Sequence, residues 1–74
     1  MTITESLMNH GIKVEDHNTY IWKVEYNGKD YVIKESENTV DFTPRYSLYN
    51  LTEQKQICTR ANYRTILRKI KKGE

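Results

Sequence analysis

A lone cysteine, Cys58, excludes a disulfide framework and points to a reducing compartment. One proline, Pro44, and three glycines leave few places where the chain is compelled to break or to turn left-handed. No apolar run approaches the ~18 residues of a membrane span, and Met1 to Gly11 lacks the basic start and apolar core of a signal peptide. These absences lead to the expectation of a soluble cytoplasmic protein without a membrane partner. Two histidines, His10 and His17, with one distant Cys58 do not make a zinc spacing. Cys58 has no histidine near it in sequence to act as a base. Tyr31-Val32-Ile33-Lys34 faintly matches a kinase β3 lysine, but no Gly-rich loop, HRD or DFG accompanies it. No metal, no cofactor and no catalytic activity are therefore expected.

What is present is a hairpin. Tyr20 to Glu35 holds two runs rich in β-branched and aromatic residues, split by Asn27-Gly28, the pair that best tolerates the positive φ of a type I′ turn. That turn sets Val24 opposite Tyr31 and Trp22 opposite Ile33. One face then gathers Tyr20, Trp22, Val24, Tyr26, Tyr31 and Ile33, and the other Lys23, Glu25, Asp30 and Lys34 among Ile21 and Val32. A sheet with one apolar face has to be covered by the rest of the chain.

Thr2-Ile3-Thr4-Glu5 has capping-box spacing and Gly11 a closing role, so a short helix is predicted over about 3–10. Ile12 to Glu15 alternates and reads as a first strand, Asp16-His17-Asn18 as a turn, and Ser36 to Thr43 as a loop anchored by Val40 and Phe42. Thr43-Pro44 is a helix start, predicting a helix to about Asn50. Asn50-Leu51-Thr52-Glu53 again has capping spacing, and no Gly or Pro follows until Gly73. One helix to about Lys72 is expected, or two broken near Cys58–Asn62, because Ile57 and Ala61 point well away from Tyr63, Ile66, Leu67 and Ile70. The whole reads as one small α+β domain over residues 1–74: a short helix, a three-stranded antiparallel sheet, and one or two helices packed on one face. At 74 residues the core only just offsets chain entropy.

Net charge is +2 but unevenly spread. Residues 1–43 carry four Lys against eight Asp/Glu, residues 44–74 eight Lys/Arg against two Glu. Arg60, Arg64 and Arg68 recur every fourth residue, Lys71 and Lys72 continue the stripe, and Lys69 lies to its side. Such a row can neutralise several phosphates, or it can simply be a solvated helix face. Cys58 to Leu67 also resembles the recognition helix of bacterial repressors, in which Asn62 and the arginines would read bases. Its preceding helix would, however, place Thr52, Glu53 and Lys55 at apolar positions. A DNA-binding regulator is accordingly the alternative function. Tyr46, Tyr49 and Tyr63 as interface aromatics of a structural protein are a third.

Tyr31-Val32-Ile33-Lys34-Glu35-Ser36-Glu37-Asn38 resembles the YVI-x-ESEN segment of a small prophage-encoded anti-CRISPR family that inhibits the type II-A Cas nuclease. The similarity reaches back through Ile21, Val24 and Gly28, covering roughly residues 20–40, and the expected element order is that family's. In that family the turn between the second and third strands presses into the nuclease. The resemblance therefore implies a partner-binding role for Asn27, Gly28, Lys29 and Asp30, with Glu35 and Glu37 of the matching segment beside them. The family's helical half carries an acidic cluster that imitates DNA, whereas Leu48 to Gln56 here holds only Glu53 and the next turns are basic. The basic stretch suits guide RNA, target DNA or an acidic protein face. The acidic residues Glu15, Asp16, Glu25, Asp30, Glu35, Glu37 and Asp41 lie on the sheet side. The expectation is a non-enzymatic inhibitor encoded by a phage or mobile element, acting in the host cytoplasm on a CRISPR nuclease or similar nucleoprotein machine.

Overall fold

In the computed structural model, which describes residues 3–36 and 45–74, Asn27 and Gly28 both adopt positive φ, 53° and 80°. They close the tight turn between β2 (Ile21–Tyr26) and β3 (Lys29–Ser36) that Asn-Gly favours. The register is the expected one, Val24 opposite Tyr31 and Trp22 opposite Ile33, and these four side chains are buried. Tyr26 is half-buried. Tyr20 departs from the expectation: it precedes β2 and is 57% exposed.

The short helix α1 (Ile3–Asn9) ends as Gly11 dictates. Gly11 takes φ 77°, its amide donates to the Met8 carbonyl at 3.0 Å, and the Ile12 amide donates to the Leu7 carbonyl at 3.0 Å. This is the paired bonding of a Schellman cap, and it drops Ile12 beside Leu7 in the core. Thr2, half of the expected capping box, lies outside the described residues. β1 (Lys13–His17) pairs antiparallel with β2, with a bulge at Glu15 where the register slips between Val14 and Asp16. The turn into β2 is held by the Asn18 carbonyl oxygen Oδ1, which accepts from the Tyr20 and Ile21 amides at 3.3 and 3.1 Å.

The helices expected after Pro44 are corrected. Arg45–Asn50 is a strand, β4, and Lys55–Ala61 is another, β5. The only helical part of residues 51–72 is α2, Tyr63–Lys71. The sheet is a five-stranded antiparallel meander in the order β1-β2-β3-β4-β5, not a three-stranded one, though the chain is α+β as expected. The reason is tertiary. Tyr46, Leu48 and Asn50 alternate inward along the open edge of β3, and a strand completing a sheet outweighs a weak local helix preference. Ile57 and Ala61 pointed away from Ile66 and Ile70 because they belong to a different element, with its own period. The loop anchors Val40 and Phe42 and the Thr43-Pro44 start fall outside the described residues.

Both helices pack on the same face of the sheet. Leu7 of α1 and Ile66 and Ile70 of α2 join Trp22, Val24, Tyr31, Ile33, Tyr46 and Leu48 in one buried cluster. Aromatic edges link the two halves: Trp22 meets Tyr46 with ring centroids 6.4 Å apart, and Tyr46 meets Tyr63 at 6.0 Å. The Trp22 Nε1–H donates to Thr4 Oγ1 at 3.2 Å, tying α1 down. Among the described residues, no helix is long and apolar enough to cross a membrane.

Candidate nucleic-acid interface

α2 begins because Asn62 caps it. Its Oδ1 accepts from the Thr65 amide at 2.9 Å, with Asn62 itself extended at φ −78° and ψ 167°. The helix buries Ile66 and Ile70 and half-buries Tyr63 and Leu67, and its opposite face is left to Arg64, Arg68 and Lys71, with Lys72 at the C-cap, all exposed. Positions four apart stack on one face of a helix, so these cations form a single row. Arg68, Lys69 and Lys71 fall in the last turn, where the helix dipole favours positive charge. The row is therefore stable without acidic partners on the helix.

The end of α2 is fixed as firmly as its start. Gly73 takes φ 77°, its amide donates to Ile70, and the Glu74 amide donates to Lys69 at 3.1 Å, a second Schellman cap. Around it the chain builds a polar lock. Lys29 Nζ donates to the Gly73 carbonyl at 2.7 Å and lies 3.7 Å from the Glu53 carboxylate. Fully buried Asn50 donates to Glu53 at 2.8 Å and to the Glu74 carbonyl at 3.2 Å, and accepts from the Glu53 amide at 2.9 Å. The lock joins the hairpin tip, the β4–β5 turn and α2 into one rigid end. A cleft of about 270 Å³ beside it is walled by Glu53, Lys55, Ile57 and Glu74, and Glu53 and Glu74 are already engaged by Lys29 and Lys69.

The structure sorts the sequence candidates. Arg64, Arg68, Lys71 and Lys72 come together as expected. Lys69 does not join them: it is half-buried and pairs with Glu74 at 3.5 Å. Asn62 spends its side-chain oxygen on the cap. Arg60 is exposed but lies on β5, not on the helix, at a bulge where it takes φ 51°. That left-handed conformation costs a non-glycine residue on the order of 1 kcal/mol. With Cys58 to Ala61 in a strand, the helix-turn-helix reading fails.

The partner-binding candidates are dispersed. Asn27 and Gly28 are exposed at the tip, but the Lys29 amine is held in the lock. Glu35 sits at the far end of β3, roughly 20 Å from the tip, half-buried and hydrogen-bonded to the Tyr46 hydroxyl. Glu37 lies outside the described residues. Asp30 joins a feature the sequence hides. The bulge at Glu15 swings that side chain across β2, so the carboxylates of Glu15, Glu25 and Asp30 lie within 4.8 Å of one another. The hydrogen bond that the Glu15 carboxyl donates to the Asp30 carboxylate, together with desolvation and the Asp30 charge, holds Glu15 above its usual range.

Two other groups are accounted for by packing. Burial pushes the Cys58 thiol up against the pull of Lys69, the opposite of what a reactive thiolate needs. His10 Nδ1 bonds the Ser6 carbonyl at 2.8 Å at the end of α1. Comparison with protein-family models, curated proteins and solved structures gives no match.

Proposed function

We propose that this protein works by binding and not by catalysis. The cationic face of α2 grips the phosphates of a nucleoprotein machine while the Asn27-Gly28 tip is presented beside it, and the machine is thereby inhibited. The observation that carries this reading is the row Arg64, Arg68, Lys71 and Lys72, exposed on a helix capped at both ends and free of acidic residues. An array of that kind supplies salt-sensitive affinity for any phosphate backbone. The YVIKESEN resemblance supplies the class of target, a CRISPR nuclease carried against by a phage or mobile element. The tip supports it physically, since Lys29 ties the hairpin to the end of α2 and lets one partner meet both surfaces in a fixed relation.

The test is cleavage by guide-loaded type II-A nuclease with the protein in excess. Inhibition that weakens with Arg64→Glu/Arg68→Glu supports the reading, and undiminished cleavage sinks it. Retardation of random duplex DNA by the same face, with no effect on the nuclease, would instead mark a DNA-binding regulator.

A further inference from the structure

The sheet face turned away from both helices has a charge pattern that fits its own copy. By register, Lys13, Glu25 and Asp30 form one row across β1, β2 and β3, Asp16, Lys23, Val32 and Tyr49 the next, and Ile21, Lys34 and Ser47 the third. Glu15 adds its carboxylate to the first row. Among the described residues the helices contribute their buried side chains to the other face, and Ile21 is 38% exposed on this one. We propose that two copies of this chain meet here, about a two-fold axis that runs across the strands through the Val32–Tyr49 row.

The geometry selects that axis. Asp30 and Lys34 stand two residues on either side of Val32, so the rotation brings each Asp30 over the other copy's Lys34. It also carries the acidic row away from its own image. On the axis row Lys23 meets the other copy's Lys23, and Asp16, its cross-strand neighbour on β1, supplies the opposite charge there. An axis along the strands would stack carboxylates on carboxylates, which costs affinity. A two-fold interface must be self-complementary in this way, and aligned sheet-on-sheet packing accommodates it. The molecule's two longer extents, 36 and 26 Å, bound a face comparable to the ~800 Å² each partner gives to a standard interface. Pairing through the sheet edges is the competing route, and bulges in β1 and β5 oppose it. The dimer would carry its two α2 rows on opposite outer sides, on helices whose axes lie roughly 30 Å apart from layer spacings of ~10 Å.

Sedimentation of the full chain over a wide concentration range tests this independently of any nucleic acid or nuclease. Wild type is expected to show a concentration-dependent dimer. Asp30→Lys and Lys34→Glu should each weaken it about tenfold, and the double exchange should restore it. Should a variant fail to fold, amide chemical shifts of wild type on dilution decide: changes confined to the outer positions of β2, β3 and β4 support the proposal. A monomer at every concentration, a dimer indifferent to both reversals, or shifts confined to α2 or the β5 edge overturns it.

Discussion

Burial in the core, with the charge of Glu35 beside it, pushes the Tyr46 phenol up to about 12. A group whose folded pKa lies above its unfolded value contributes stability that is complete below the unfolded value and is lost as pH rises. Urea unfolding should therefore show stability falling between about pH 10 and 12; Tyr46→Phe should flatten that fall. Glu15 has the same sign in another range. Its carboxyl is raised by Asp30, so the native state binds its proton more tightly and gains as pH drops through the carboxylate range. Glu15→Gln is expected to raise the melting temperature at neutral pH, with the advantage vanishing in acid. Asn50 is where sequence reasoning went astray at this scale. The bond from the Glu53 amide to its side chain is the one the capping spacing implied, but it closes a turn between strands. Both structures use that hydrogen bond, and only the burial of Asn50 distinguishes them. Asn50→Ala, which removes the three hydrogen bonds of a fully buried side chain, should cost about 1–3 kcal/mol in chemical denaturation.

At the scale of elements, the hairpin, its register and the α1 cap were legible because each rests on neighbours in sequence: Asn27-Gly28, Gly11-Ile12, and an alternation that survives in isolation. β4 was not, since Thr43-Pro44 reads locally as a helix start while the Tyr46, Leu48, Asn50 alternation has meaning only against the edge of β3. β5 was hidden further by two bulges that disturb its period. The basic row was half legible: its helical spacing holds from Arg64 onward, and Arg60 belongs to a strand. The acidic trio was not legible, because it depends on the bulge at Glu15. The caps give a clean element-scale prediction. Asn62→Ala should cost about 1 kcal/mol, a loss of roughly 4–8 °C in melting temperature for a domain of this size. Its nucleic-acid affinity, measured well below the transition, should stay at the wild-type value. A base-reading Asn62 would lose affinity instead.

For the molecule as a whole, folding turns an uneven sequence into two charged surfaces. The helices leave a cationic row on one side of the sheet, and the strands gather carboxylates on the other. Such a charge distribution orients the chain toward a polyanion before contact. The row holds four exposed cations, so affinity for a duplex should fall with a log–log salt slope of about −3.6 at full engagement. The most direct measurement is that slope, by fluorescence anisotropy with a labelled duplex, for wild type and Arg64→Gln/Arg68→Gln. We expect the double variant to lose about half the slope, near 1.8, while keeping the wild-type fold by circular dichroism. An unchanged slope, or no binding at low salt, would contradict the assignment of α2 as the working surface.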